Sequence, residues 1–189
     1  MTVERVVAEL RSAPQRSVEE ARSLVPAEPG FYSWWAEPTS LPAEVPQDLH
    51  PETGRALLYV GIAPASAISK GNLARRLRIH TKGAIGSSTL RRGLAALLYE
   101  DCGWRPIWAS TRPGLENRDL AALSKWQSEN LAVQWCVCEE TWVIEPAVIA
   151  AMKPPMNLDH NRGHDFYGTM SRRRRAFRRA AEHYRNNGG

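Results

Sequence analysis

Apolar residues recur at helical spacing from Val3 to Arg11 and stop at Pro14. Ser17 and Glu20 then form a Ser-x-x-Glu capping pair that opens a second short helix ending near Pro26, so 1–28 reads as a helical cover. Behind Pro29-Gly30 the pattern changes. Phe31 to Trp35 is an aromatic-rich strand, Pro38 to Thr53 collects four prolines among acidic residues, and Ala56 to Val60 resumes an apolar strand, which makes 36–55 a loop insertion. Asn72 to Lys82 and Ser88 to Tyr99 carry leucines at helical spacing, and both predict helices that are basic on their exposed sides. Gly103 to Gly114 holds prolines and tryptophans without a period, Arg118 to Glu129 is helical, and Leu131 to Cys138 is a third, apolar strand. Glu139 to Met152 predicts a helix with Trp142, Ile144, Val148, Ile149 and Met152 inward, closed by Pro154-Pro155. Ser171 to Arg185 is a last, strongly basic helix, and Asn186 to Gly189 reads as a frayed end. With few strands among many helices, the expected fold is α/β: a small central sheet of about three main strands flanked by helices, with extra N- and C-terminal helices. The expected division is a cover over 1–28, a main domain over 29–158 with a helical segment at 86–130, and a basic helix and tail over 159–189.

Composition narrows the class. A chain of 189 residues, 43% hydrophobic and 24% charged, fits one ordinary globular domain. No apolar run approaches the roughly 18 residues of a membrane span, and Glu4, Arg5 and Glu9 interrupt the N-terminus where an export signal would be apolar. Three cysteines, Cys102, Cys136 and Cys138, are an odd set for a disulfide scaffold, so a reducing cytoplasm is expected. Cys136 and Cys138 sit in an apolar strand, which disfavours structural zinc. The net charge of +5 favours an anionic partner. Its distribution says more, because arginines gather at Arg75, Arg76 and Arg78, at Arg91 and Arg92, and at Arg172, Arg173, Arg174, Arg175, Arg178 and Arg179. Such a run is either a solvated face or a phosphate-contacting helix, and both readings stay open here.

Two strands carry aromatic-glycine signals, Gly30-Phe31-Tyr32 and Tyr59-Val60-Gly61, and a basic helix ending in His80 follows the second. With Asn72 to His80, Glu145 and Pro155-Met156-Asn157 in order behind them, the chain resembles the GIY-YIG nuclease superfamily from Pro29 to about Leu158. The resemblance implies a metal-dependent endonuclease with Tyr32, Tyr59, Arg76, His80 and Glu145 around one scissile phosphate and Gly30, Gly61 and Asn157 in support. It selects Arg76 over Arg75 by position after Leu73, and the i, i+4 spacing puts Arg76 and His80 on one helix face. Hydrolysis of a phosphodiester needs an activated water, neutralised phosphate oxygens and a stabilised leaving alkoxide. Glu145 would be the sole protein ligand of a hard Mg²⁺ (or Mn²⁺). Arg76 would clamp the phosphate, and His80 would orient the water or relay its proton. Tyr32 is favoured over Tyr59 as the base. DNA is the expected partner, with RNA open, and the protein would be a monomer or homodimer acting in restriction or repair.

Some residues depart from the family pattern. Phe31 replaces an isoleucine, Ile62 stands where many relatives carry lysine or a small polar residue, and the 36–55 insertion resembles the spacing of restriction-type members. The rival reading is a non-catalytic nucleic-acid-binding module on the same scaffold. His160, His164 and Asp165 with Asn161 are the other candidates for a metal pocket, against the simpler view that they are solvated loop residues. Trp34, Trp126 and Trp142 fall on apolar-patterned positions and are expected in the core instead of stacked on bases.

Overall fold

The computed structural model describes residues 1–186. A four-stranded antiparallel sheet lies at its centre, built from β1 (Arg16–Ser17), β2 (Gly30–Ala36), β3 (Ala56–Ala63) and β6 (Leu131–Val137) in the order β1-β6-β2-β3. The three main strands are those expected, and β1 is a two-residue addition. Every residue of β2 and β3 is buried, because helices cover both sheet faces, and this is why these strands read as continuous apolar runs.

One face is covered by α1 (Val3–Ser12) and α6 (Thr141–Met152), which pack Val6, Leu10, Val148 and Met152 on Phe31, Trp35, Leu57, Val60 and Ile62. The other face holds Tyr32, Trp34 and Tyr59 against α2 (Val18–Leu24), α3 (Leu73–Thr81), α4 (Thr89–Leu98), α5 (Asn117–Asn130) and α7 (Tyr167–Asn186). The Ser17–Glu20 capping box forms as the sequence predicts, with Ser17 Oγ accepting from the Glu20 amide. Trp34 is fully buried, while Trp126 and Trp142 pack as partly buried members of the two cores.

Three expectations need correction. The aperiodic stretch after Gly103 contains a hairpin, β4 (Pro106–Ala109) and β5 (Arg112–Leu115), that packs against α7. Its prolines hid the alternation, and Ser110 at the turn adopts a positive φ of 57°. The C-terminal helix begins at Tyr167, four residues before the expected Ser171. The expectation of a frayed end over 186–189 lies outside the described residues except at Asn186, which is helical.

Arg91, expected on a DNA-facing surface, is fully buried. Its guanidinium donates to Gln127 Oε1 and to Ser124 Oγ of α5, and burial lowers its pKa to about 10. The sequence held the signal: Arg91 lies three and seven residues before Leu94 and Leu98, on the face those leucines bury. Arg91→Ala should therefore lower stability by about 2–4 kcal/mol through a cavity and orphaned polar partners. Urea denaturation measures that loss, and the salt dependence of DNA binding should not change. A lowered salt slope at unchanged stability would show that Arg91 faces DNA after all.

Candidate active site

The two tyrosines are brought together by strand register. Tyr32 pairs with Gly61 and Trp34 with Tyr59, so the antiparallel pairing puts both phenols on one face of the sheet. Gly61 is required there: a Cβ would lie 2.2 Å from Tyr32 Oη and 2.4 Å from its Cζ. The glycine of the second motif is the space that the tyrosine of the first occupies. Gly30 sits opposite Ala63 and Val137 at the start of β2.

β3 is the edge strand, and the segment after α6 covers it. The Met156 amide donates to Leu58 O, and the Asn157 side chain brackets Val60, accepting from its amide at 3.0 Å and donating to its carbonyl at 2.8 Å. Asn157 thus pairs with β3 as a strand would and fixes Tyr59 and Gly61 on either side of Val60.

Asn72 caps α3, its Oδ1 accepting from the Arg75 amide, and the helix aims Arg76 and His80 at the phenols. Arg76 Nε donates to Tyr32 Oη at 3.2 Å, and Tyr32 Oη and His80 Nε2 share a hydrogen bond of 2.7 Å. Arg75 and Arg78 stay on the solvent side. The sequence did not single out Ser88 as a site residue. It caps α4 through the Arg91 amide, and its Oγ lies 2.7 Å from His80 Nδ1. Gln127, also unforeseen, donates to the His80 carbonyl at 3.0 Å. A Ser-x-x-Arg helix start eight residues past the histidine was its one sequence trace.

Burial sets the protonation of this cluster. It pushes the phenols of Tyr32 and Tyr59 above their ordinary range; each also feels Glu145, which raises it, and Arg76, which lowers it. His80 is held well below its usual value by burial, then by Arg76 and Arg91, so it stands neutral. Below about pH 6.5 the unfolded chain takes a proton at His80 that the folded chain refuses, so stability falls as pH drops, by up to about 1.4 kcal/mol per unit. Glu145 acts with the opposite sign, since burial raises its pKa. His80→Gln should therefore lose less stability than wild type between pH 7 and pH 5. Identical losses in denaturant titrations at the two pH values would contradict a neutral, enclosed His80.

Glu145 comes from α6 and is half-buried. It shares a cleft with Asp159, His160 and Arg162, and it makes no hydrogen bond or ion pair among the described residues. A half-buried carboxylate with free lone pairs, within the electrostatic reach of Arg76, suits a hard divalent cation that keeps most of its waters. Among the described residues no three His, Cys, Asp or Glu side chains gather into a metal-holding group, so any cation here would rest mainly on Glu145 and water. His164 instead turns inward on its own loop, where Nδ1 accepts from the Phe166 amide.

The α7 arginines divide by what they touch. Arg173 is bound to the Glu44 carboxylate and to Leu97 O, and Arg178 pairs with Glu182 and lies over the Trp108 ring. Arg172, Arg175 and Arg179 are exposed.

Comparison with curated proteins and with solved structures gives no match. The model of the GIY-YIG catalytic domain matches residues 30–176, which takes in both tyrosine motifs, Arg76, His80, Glu145, Asn157 and the first half of α7. On that match, and with a four-stranded antiparallel sheet that sets the two motifs in register, the chain belongs to the GIY-YIG catalytic-domain family, a nuclease-type fold.

Proposed function

We propose that the protein is a metal-dependent endonuclease that hydrolyses DNA phosphodiester bonds. The observation that carries this reading is the convergence of Tyr32, Tyr59, Arg76 and His80 on one face, electrostatically coupled to an unpaired Glu145.

Each side chain has a separate task. Arg76 clamps the phosphate through its two Nη groups while its Nε remains on Tyr32 Oη, so the tyrosine fixes the plane of the guanidinium. Tyr32 is in turn held by His80, and His80 by Ser88. Tyr59 also has a side-chain hydrogen bond with Arg76 but none with His80, and its residual exposure is 7% against 0% for Tyr32. A general base must touch the attacking water, so access favours Tyr59 for that contact and makes Tyr32 the residue that positions Arg76. This reverses the sequence-based preference for Tyr32. Glu145 would hold Mg²⁺ or Mn²⁺, which when bound supplies Lewis-acid neutralisation of the phosphate and cancels the carboxylate's raising effect on the phenols. The products would carry 5′-phosphate and 3′-hydroxyl ends. Restriction of foreign DNA is the role we favour over repair, on the support of the 36–55 insertion.

Plasmid nicking tests the proposal. Wild type should relax supercoiled DNA in Mg²⁺ or Mn²⁺, and Glu145→Ala and Arg76→Ala should not. DNA left intact by wild type in every metal, with salt-sensitive binding retained, would make the protein a non-catalytic binding module. Because burial holds the phenols high, log kcat should climb with a slope near one from pH 6 into the alkaline range. A bell-shaped optimum near pH 6–7 would point to His80 as the base.

A further inference from the structure

Arg174 behaves unlike the other arginines of its helix. It turns back into the protein, where its Nη2 lies 3.5 Å from the place a Cβ on Gly93 would occupy and donates to Met156 O at 3.4 Å. Met156 directly precedes Asn157, the residue that brackets Val60 beside Tyr59. Among the described residues Arg174 Nε is buried with no hydrogen-bond partner, and no carboxylate lies within ion-pair distance of the guanidinium. Arg92, on the neighbouring turn of α4 and also without an ion pair, is close enough to lower the pKa of Arg174 after burial has done so. Tyr59 in turn feels the charge of Arg174.

Arg174 is largely desolvated and feels the like charge of Arg92, which the unbonded Asp159 offsets only in part, and this is unfavourable in the free protein. An arriving anion would relieve both the repulsion and the orphaned Nε. A phosphate matches the planar donor fork of arginine, and the position adjoins β3 beside Tyr59, because Met156, whose carbonyl Arg174 holds, donates its amide to Leu58 O.

We propose that Arg174 and Arg92 form a second phosphate position beside Tyr59, which takes a backbone phosphate next to the scissile one on the same strand. The inference rests on the nuclease reading, and it assigns Arg174 a role distinct from the exposed arginines of α7. Arg76 holds the phosphate that is cut, and the second position sets the strand's direction across Tyr59. Gly93 leaves room for Met156, whose Cε would lie 2.6 Å from a Cβ there, and so lets Arg174 reach the Met156 carbonyl.

Binding of a duplex oligonucleotide in EDTA, where no cleavage occurs, tests this directly. Arg174→Gln and Arg92→Gln should each weaken binding about tenfold and lower the salt slope by about one. Arg5→Gln, an equal loss of charge on α1 at the opposite face of the sheet, should change binding less than twofold. In cleavage, a methylphosphonate replacing one phosphate that flanks the cut should raise KM for wild type and add nothing for Arg174→Gln. Binding by Arg174→Gln equal to that of Arg5→Gln, or a full methylphosphonate penalty at both flanks in Arg174→Gln, would overturn the proposal. If Arg174→Gln loses its fold on melting, Arg92→Gln decides by the same criteria. The two readings fail separately: wild type that never cuts DNA removes the nuclease, while the binding comparison still decides the second phosphate position.

Discussion

Glu145→Gln should slow Mg²⁺-dependent cleavage by at least about a thousandfold while leaving the protein as stable as wild type or slightly more so. The substitution keeps the shape of the side chain and removes its charge. Burial raises the pKa of Glu145, which means that the folded state disfavours the carboxylate it carries at neutral pH. Stability is being spent on a charge that the fold itself does not use, a pattern expected where the group serves chemistry. His160 and Arg76 lower the Glu145 pKa and Asp159 raises it, and none of the three is bonded to it. A cation is then the natural partner for its oxygens. Melting curves and cleavage rates measured on the same preparations check both halves. Activity within tenfold of wild type would remove Glu145 from the metal site, and a large fall in melting temperature would make it a structural residue.

Gly61→Ala should be nearly as damaging, at least a hundredfold in rate, although the alanine methyl group carries no chemistry. Its Cβ would lie 2.2 Å from Tyr32 Oη, and Tyr32 has no exposed side toward which to retreat. The ring must shift, and with it go the hydrogen bonds to His80 and Arg76 that fix the Arg76 guanidinium. Overpacking of this kind costs about 1–3 kcal/mol, so the variant should fold and fail as a catalyst. Tyr32→Phe should also fold, because it keeps the ring in place, and should lose activity through the unfixed guanidinium. Wild-type rates for Gly61→Ala would show that the phenol of Tyr32 is not held by the glycine of the second motif.

The site was legible in the sequence wherever a residue type is forced by local geometry. Gly30 and Gly61 marked the two strands, the i, i+4 spacing paired Arg76 with His80, and Asn72 announced the start of the helix that carries both. Long-range partners gave no such signal. Ser88 looks like an ordinary helix cap, and nothing local says that its hydroxyl also meets His80. Gln127 is a polar residue on a mixed helix until α5 packs against α4 and α3 and turns it toward the His80 carbonyl. The choice between the two tyrosines was equally closed to sequence, since both are strand aromatics beside a glycine and only packing makes one enclosed and the other less so.

Charge was the least transferable signal. Arg91 and Arg92 are neighbours in sequence, yet one is bonded inside the protein by Gln127 and Ser124 and the other, without an ion pair among the described residues, is close enough to lower the pKa of Arg174. Arg173 and Arg178 belong to ion pairs with Glu44 and Glu182 that tie α7 to the 36–55 insertion and to itself. A net charge of +5 does not reveal that division, because the same residue type is a counter-ion, a buried support or an exposed charge according to its helix face.

The most direct measurement is the chemistry of the cut ends. A duplex labelled at one end and incubated with the protein in Mg²⁺ should yield fragments bearing 5′-phosphate and 3′-hydroxyl groups that a ligase rejoins. No fragments should form in EDTA or with Glu145→Ala. Uncut duplex in Mg²⁺ and Mn²⁺, or equal cutting in EDTA, would contradict the account.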